Sequence, residues 1–222
     1  MFGAFCRGYY VLISDFASKG QLDTYLKKEP HYSQVWGLLY DAALGLQWLQ
    51  FRGIIHADLK CNNIVVTASG RVKLIDYGLS RVRTCRGFRS GDALPWKAPE
   101  CLIRGSESSF ASDVYSFGMC VVEAVSGDFP WGKTRVGSYY VKQGQLPQRP
   151  DSFSMIQWEL VKRMRCFKPE ERLQLADAVK VLGAFAQHSQ YVNDQGIQEM
   201  LAKSEGDPLA EMNHQHPIPS TA

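Results

Sequence analysis

The chain has 222 residues, of which 45% are hydrophobic and 21% charged, and its formal net charge at pH 7 is +3. This composition is typical of a soluble globular protein, and the length suits one domain with a tail. The small net charge does not predict binding to nucleic acid or to a membrane surface, and no run of about eighteen apolar residues predicts a transmembrane helix.

The six cysteines form no C-x-x-C pair, which argues against a metal or redox motif of that kind. The chain is longer than small disulfide-stapled domains, and its first residues lack the basic segment of a secretory signal. We therefore expect reduced thiols and a cytoplasmic location.

The amino-terminal stretch predicts a β-hairpin followed by a short helix. Residues 2–6 are small and apolar and residues 9–13 are rich in β-forming side chains, so we expect the second strand to end at Ser14. A turn over residues 18–20 then leads into a helix over residues 21–28, which has its apolar side chains on one face.

A longer amphipathic helix is predicted over residues 34–50, with Ser33 as its N-cap and Gly53 as its C-terminal cap. Apolar residues recur within it at intervals of three or four, which predicts one buried stripe. The stripe comprises Val35, Leu38, Leu39, Ala42, Leu46 and Leu49.

A polar loop, residues 56–63, separates two apolar segments, and the second of these is a short strand at 64–66. A further strand at 72–75 follows a turn, so the two strands form a hairpin. Asn63 and Asp76 then stand at the two open ends of this hairpin, where both can face one site.

The side chains of this polar loop suit phosphoryl transfer. Asp58 can accept the proton of an attacking hydroxyl group, and Lys60 can neutralise a phosphate oxygen. The amide oxygen of Asn63 and the carboxylate of Asp76 are hard oxygen ligands of the kind that Mg²⁺ prefers. The alternative interpretation is a polar turn between two strands, with Asp58 and Asn63 as capping residues and Lys60 on the surface.

The second half of the chain is predicted to be mostly helical. Residues 77–97 form an irregular stretch rich in glycine and arginine. Ser112 is then expected to cap a helix that runs to about Ser126 and is buried, because it is apolar nearly all round. Three further helices are expected, at residues 135–143, 154–166 and 174–188.

The order of these pieces resembles the protein kinase family. Residues 56–63 resemble the catalytic loop H-R-D-L-x-x-x-N, and Asp76-Tyr77-Gly78 resembles the D-F-G motif that follows it. Ala98-Pro99-Glu100 resembles A-P-E, residues 112–118 resemble the start of the helix after it, and Arg172 stands where kinases carry a late arginine. The ordered set is far more specific than any one tripeptide.

The resemblance covers roughly residues 1–187 and implies an α+β, protein-kinase-like fold. Its large C-terminal lobe is mostly helical with two short β-hairpins, and its small N-terminal lobe is expected to be largely absent, since no G-x-G-x-x-G loop and no V-A-I-K strand occurs in the chain. Residues 1–17 would be a small-lobe remnant with two strands and the hinge, and residues 18–190 the large lobe. Residues 191–222 would be a partly disordered tail, because helical periodicity fades from Gly196 onward.

The resemblance implies an ATP-dependent protein serine/threonine kinase similar to the tyrosine-kinase-like group, with ATP and Mg²⁺ as cofactors. Ser14 would be the gatekeeper, residues 15–17 the hinge, and Val65 the residue that packs under the adenine ring. The implied catalytic residues are Asp58, Lys60 and Asn63, and the implied metal ligands are Asn63 and Asp76. The implied ATP-binding residues are Ser14, Asp15, Ala17, Lys60, Asn63, Val65 and Asp76.

The resemblance also implies residues that hold the site in shape. Asp113 would accept backbone N–H bonds from the polar loop, and His56 and Tyr77 would continue a hydrophobic spine. Glu100 and Arg172 would form a buried ion pair that fastens the irregular segment to the large lobe. The residues with implied structural roles are His56, Tyr77, Gly78, Glu100, Asp113 and Arg172.

Two positions depart from the family pattern. Ala57 replaces the arginine that pairs with a phosphorylated activation segment, so we expect that phosphate on this segment does not switch activity. Residues 91–95 lack the threonine that helps to hold Asp58 and Lys60 together, which puts substrate positioning in question.

Three interpretations stay open on the sequence alone. The chain is an active kinase lobe, or a catalytically impaired kinase-like binding module, or a fragment of a longer kinase without its Gly-rich loop and ATP-binding lysine. The expected partners are ATP and a protein substrate, and the binding module would add a partner that covers its exposed upper face. Neither nucleic acid nor a membrane is expected as a partner.

Overall fold

The computed structural model describes most of the chain. The described residues are 2–6, 9–13, 16–28, 34–77, 91–103, 105–132, 141, 144–145, 147–187 and 194–203. The sequence predictions that fall outside them concern Ser14, Asp15, Ser33, Gly78, most of the helix expected at 135–143, and the chain after residue 203.

Two small antiparallel sheets are present. β1 (Phe2–Cys6) and β2 (Tyr9–Ile13) form the predicted hairpin, which is thereby confirmed. β3 (Gly20–Gln21), β4 (Ile64–Val66) and β5 (Val72–Leu74) form a second sheet in the order β3-β4-β5.

The second sheet has one strand more than the sequence predicted. A turn was expected over residues 18–20, but Gly20 pairs with Val66 and begins β3. Gly20 has a φ of +82°, a conformation that glycine adopts without strain, and this lets the chain turn and at once run beside β4.

Six α-helices have bounds within the described residues. They are α1 (Leu22–Leu26), α2 (Val35–Phe51), α3 (Phe110–Ser126), α4 (Met155–Met164), α5 (Leu175–Ala186) and α6 (Asp194–Lys203). Within the described part of the chain, no helix is both long enough and apolar enough to cross a bilayer.

The predicted start of α3 is wrong by three residues. Ser109 is its N-cap, and Ser109 Oγ accepts the N–H of Ser112 at 3.1 Å. Ser112 Oγ in turn accepts the N–H of Ser109 at 2.9 Å, so Ser112 is the second half of a capping box rather than the cap. α2 begins after Gln34, whose side chain makes no capping bond. Gly53 follows α2 with a φ of +68°, as a C-terminal glycine does.

The core is built around α3, which is buried along nearly its whole length, as its apolar sequence predicted. α2 packs against α5, and the stripe predicted for α2 faces the core. α3 also carries two carboxylates into this core, since Asp113 is 1% and Glu123 6% exposed. A buried charge is costly unless it is hydrogen-bonded, so the partners of these carboxylates matter for the site.

α6 corrects the expectation that helical order ends near Gly196. Ile197 and Leu201 lie one turn apart and are buried in the core. Arg163 of α4 donates from Nη1 to the backbone oxygen of Leu201 at 2.8 Å. In the sequence these apolar residues stand among polar ones, so the face that they form is too narrow to detect. The tail predicted over residues 191–222 therefore contains a packed helix in its described part, and residues 204–222 lie outside the described residues.

Candidate active site

Asp113 of α3 holds the start of the polar loop. Its Oδ2 accepts the N–H of His56 at 2.7 Å, and its Oδ1 accepts the N–H of Ala57 at 2.8 Å. Burial raises the pKa of Asp113 to about 6, and the two N–H donors act in the opposite direction. The carboxylate is therefore ionised at neutral pH and ties two consecutive peptide groups to the central helix, as the resemblance implied.

Asp58, Lys60 and Asn63 are brought together around one carboxylate. Asn63 Nδ2 donates to the backbone oxygen of Asp58 at 2.7 Å and to its Oδ2 at 3.1 Å. Lys60 Nζ lies 3.6 Å from the same Oδ2. The side chains of Asp58 and Lys60 remain 10% and 23% exposed, so a ligand can reach both.

The orientation of the Asn63 amide suits a cation site. Because Nδ2 faces two acceptors of Asp58, the amide oxygen is turned away from them. Ile75 donates its N–H to the backbone oxygen of Asn63 at 3.0 Å, which brings the residue before Asp76 beside Asn63. One amide oxygen and one carboxylate fit Mg²⁺ if phosphate and water oxygens complete its coordination. No group of three or more His, Cys, Asp or Glu side chains in the described residues forms a metal site by itself.

Two residues beside this cluster have an unfavourable backbone conformation. Ala57 has a φ of +66° and Asp76 a φ of +60°, and they are the non-glycine residues of the described chain with positive φ. The left-handed conformation costs such residues about 1–2 kcal/mol, so it persists only where the surroundings impose it. Strain at two points next to Asp58 and Asn63 is typical of a functional site.

His56 is fully buried and packs edge-on against Tyr77, with the ring centroids 6.3 Å apart. Burial lowers the pKa of His56 to about 4, which outweighs the nearby carboxylates of Asp58 and Asp76. The imidazole is therefore neutral at physiological pH, and its Nδ1 accepts the N–H of Asp58 at 3.4 Å. These contacts fit a structural role rather than proton transfer.

Arg172 joins the segment around Glu100 to the helical body. Its Nη1 lies 2.6 Å from Glu100 Oε1 and its Nη2 lies 2.7 Å from Oε2. The guanidinium also donates to the backbone oxygens of Cys166, Phe167 and Ala111. Only 1% of the Arg172 side chain is exposed but 24% of the Glu100 side chain is, so the expected ion pair is present and is buried on the arginine side alone.

Glu123 is a candidate that the sequence analysis missed. Its Oε2 accepts the backbone N–H of Cys61 at 3.2 Å and the indole N–H of Trp96 at 2.8 Å. All three residues are buried. The one signal in the sequence is an acidic residue inside an apolar stretch of helix, which must find its partners within the core.

Of the remaining implied residues, Val65 and Ala17 are described, whereas Ser14, Asp15 and Gly78 lie outside the described residues. Val65 is the second residue of β4, two residues after Asn63, and its side chain is buried. Ala17 is partly exposed, and Phe16 beside it is 88% exposed. The implied contacts of these residues with adenine stay a prediction.

Comparison with known proteins identifies the family. The profile of the family described as protein tyrosine and serine/threonine kinase matches residues 1–182. The chain belongs to this protein kinase family.

Similar proteins are serine/threonine kinases of several kinds. Mitogen-activated protein kinase kinase kinase 9 of Arabidopsis thaliana is 34% identical over 58% of this chain and 17% of its own length. The serine/threonine/tyrosine-protein kinase HT1 of Arabidopsis thaliana is 32% identical over 78% of this chain and 46% of its own length. The serine/threonine-protein kinase WNK2 of Mus musculus is 28% identical over 88% of this chain and 9% of its own length. The chain therefore spans less than half the length of these relatives.

Proposed function

We propose that the chain is the catalytic lobe of a protein serine/threonine kinase, which transfers the γ-phosphoryl group of ATP to a hydroxyl group of a protein. The observation that carries this proposal is the cluster of Asp58, Lys60 and Asn63, in which an amide and an ammonium group approach one carboxylate. A turn that merely connected two strands would not need to gather these groups around a partly exposed carboxylate.

Each side chain has a distinct role in the proposed reaction. Asp58 orients the substrate hydroxyl group and takes its proton, while the hydroxyl oxygen bonds to the γ-phosphorus. The bond from that phosphorus to the bridging oxygen breaks, and ADP leaves. Lys60, 3.6 Å from Asp58, places a positive charge beside the phosphoryl group in transit. The adenine contacts are proposed for Ser14, Asp15, Ala17 and Val65.

Asn63 and Asp76 are the proposed ligands of Mg²⁺. The Asn63 amide is held by Asp58 in the orientation that presents its oxygen, and Asp76 follows the residue that is bonded to Asn63. A bound Mg²⁺ would neutralise charge on the phosphate oxygens.

Phosphotransfer to a generic basic protein, with Mg²⁺ and ATP, tests the proposal. We expect Asp58→Asn to lower kcat by about 10²–10⁴-fold, because a positioned general base contributes that much. Asp151→Asn, which changes an exposed aspartate before α4, is the matched control and should leave kcat unchanged. Turnover that survives Asp58→Asn would remove Asp58 from the mechanism.

A second candidate function is a kinase-like binding module without turnover. No G-x-G-x-x-G loop and no V-A-I-K strand lies within these 222 residues, which span less than half the length of the relatives they match, so this candidate is kept as the alternative. Each charge-assisted contact to phosphate that is missing removes about 1.5–3 kcal/mol. No phosphotransfer by the unmodified chain, with no rise in its melting temperature on adding ATP and Mg²⁺, would favour this candidate. The coding sequence upstream of Met1 tests whether the chain is instead a fragment of a longer kinase.

A further inference from the structure

α6 covers a face of the helical body that α4 and α5 form together. It packs against both of these helices, and it buries Ile197 and Leu201, which are 5% and 1% exposed. The two side chains lie one turn apart and therefore point to the same side of the helix. α6 lies beyond residues 1–182, so the family match assigns it no role.

Arg163 of α4 makes a polar contact with the last turn of α6. Its Nη1 donates to the backbone oxygen of Leu201 at 2.8 Å. The final carbonyl groups of a helix have no partner within the helix, so this arginine supplies a donor and also meets the negative end of the helix dipole. The Nε of Arg163 lies 3.2 Å from Glu159 Oε1, which holds the guanidinium in place for this contact.

α6 is anchored less firmly than its neighbour α5. Among the described side chains of its ten residues, Ile197 and Leu201 are buried, whereas α5 buries six of its twelve residues. A helix as short as α6 is not stable alone in water, so it forms only while it is docked. Elements with few buried contacts open by local unfolding before the rest of a protein does. We therefore expect α6 to detach and dock again while the other helices stay folded.

Arg163 also connects α6 to the segment that binds Glu100. The backbone oxygen of Arg163 accepts the N–H of Leu173 at 3.1 Å, and Leu173 directly follows Arg172. Leu173 is itself buried in the core. The end of α4 is thus held by α6 on one side and holds Leu173 on the other, so a shift of Arg163 would reach Arg172 through a single residue.

We propose that α6 is a detachable strap that regulates the catalytic lobe. When it is docked, it fixes the end of α4 and thereby supports the ion pair of Arg172 with Glu100. When it is released, the segment around Glu100 loosens and turnover falls, so the equilibrium between the two states sets the fraction of active chain. The effect on turnover rests on the proposed kinase function, whereas the link between α6 and Glu100 does not.

Substitutions within α6 change this equilibrium in the full chain. Leu201→Gln favours release, because docking then buries a polar group in the core. Ile197→Ala is a milder variant at the other buried position. Gln198→Ala is the matched control, because Gln198 is exposed on the same helix and alanine favours the helical conformation.

Hydrogen exchange followed by mass spectrometry tests the strap without any turnover. In the unmodified chain, we expect the amides of α6 to exchange at least about tenfold faster than those of α5. Leu201→Gln should raise exchange about tenfold further in α6 and about threefold in the 3₁₀ turn Pro99–Leu102, which contains Glu100. Exchange in α2 should stay unchanged, and Gln198→Ala should change none of these rates.

Two results would overturn the inference. Faster exchange in α6 with no change at Pro99–Leu102 would remove the link to Glu100. Faster exchange in α2 with both Leu201→Gln and Ile197→Ala, or exchange in unmodified α6 as slow as in α5, would show that α6 is an inseparable part of the core.

Phosphotransfer to a basic protein tests the effect on turnover. We expect Leu201→Gln to lower kcat about threefold, in proportion to the loosening at Glu100, and Gln198→Ala to leave it unchanged. Arg163→Gln should also lower kcat but should add little to Leu201→Gln, because a released α6 no longer uses the arginine. Fully multiplicative losses would contradict the role of Arg163. An inactive chain in which exchange at α6 and at Pro99–Leu102 still rises together would contradict the kinase proposal and retain the strap.

Discussion

Two buried arginines on the chain between α4 and α5 have very different surroundings. Arg172 uses all five of its N–H groups, two of them on Glu100 and three on backbone oxygens. Arg165 makes one hydrogen bond, from Nη2 to the hydroxyl of Tyr115 at 3.0 Å, and its Nε and Nη1 have no hydrogen-bond partner among the described residues. Its guanidinium lies over the rings of Tyr115 and Trp131, 5.0 and 5.4 Å from their centroids.

The difference shows that equal burial does not mean equal function. Burial lowers the pKa of Arg165, and so does the positive charge of Arg172, but a guanidinium stays charged in proteins. The charge of Arg165 is therefore met by two aromatic faces and one neutral hydroxyl group, which makes it a packing residue. Arg172 is met by a carboxylate and carbonyl oxygens, which makes it the anchor of the segment that contains Glu100.

The largest effect on stability is expected for Arg172→Met, which removes the arginine that is bonded to Glu100. The substitution leaves the partly exposed Glu100 carboxylate and three backbone oxygens without their donors, so the free energy of unfolding should fall by about 3–5 kcal/mol. Urea denaturation measures it. The matched control is Arg71→Met, since Arg71 is 71% exposed and its ion pair with Asp41 lies at the surface. We expect this control to cost at most about 1 kcal/mol, and an equally small loss for Arg172→Met would contradict the anchor role.

His56 is a third buried basic side chain. Unlike Arg165, which stays charged, it can lose its proton when it is buried. Its pKa in the folded chain is about 4, below the usual 6.5, so between these values the unfolded chain binds more protons. Its contribution to stability is complete above pH 6.5 and is lost as the pH falls toward 4, by about 3 kcal/mol in total.

The measurement is the free energy of unfolding of the unmodified chain minus that of His56→Leu, followed from pH 7 to pH 4. The contribution of Asp113, whose pKa is raised to about 6, increases as the pH falls through this range, and it cancels in the difference. We expect the difference to decrease toward low pH. A difference that does not depend on pH would show that the pKa of His56 is the same in the folded and in the unfolded chain.

Gly118→Ala tests how tightly Arg165 is packed. A Cβ at Gly118 would lie 3.0 Å from Arg165 Cγ and 3.1 Å from Met164 Cβ, closer than ordinary contact. Crowding of this kind costs about 1–3 kcal/mol, which thermal unfolding would detect. Gly37→Ala is the control, because Gly37 lies in α2 with open space where a Cβ would be, and it should stabilise the chain by about 0.5–1 kcal/mol. If Gly118→Ala is equally favourable, the packing around Arg165 is loose.

The smallest effect is expected for Arg165→Met. The substitution removes two ring contacts and one hydrogen bond but also a buried cation without a carboxylate partner. These terms oppose one another, so the free energy of unfolding should stay within about 1 kcal/mol of the unmodified value. A loss as large as that of Arg172→Met would mean that the two arginines are anchors of the same kind.

The sequence by itself determined the strands and helices whose signal lies in residues close together along the chain. Alternating and three-to-four-residue patterns predicted the hairpins and the helices α2 to α5, because a strand or a helix buries one face whatever it packs against. The order of motifs from His56 to Arg172 indicated the kinase family, to which the chain belongs. The catalytic roles of Asp58, Asn63 and Asp76 remain predictions that the proposed experiments test.

Only the tertiary structure decided how distant segments meet. β3 needed the edge of β4, and α6 needed the core that buries Ile197 and Leu201. The bonds of Glu123 to Cys61 and Trp96 join three segments that no local pattern relates. The physical reason is that a periodic pattern along the chain shows only which face of a helix or strand is buried. A buried carboxylate also needs hydrogen-bond donors, and these come from distant segments that meet only in the folded chain.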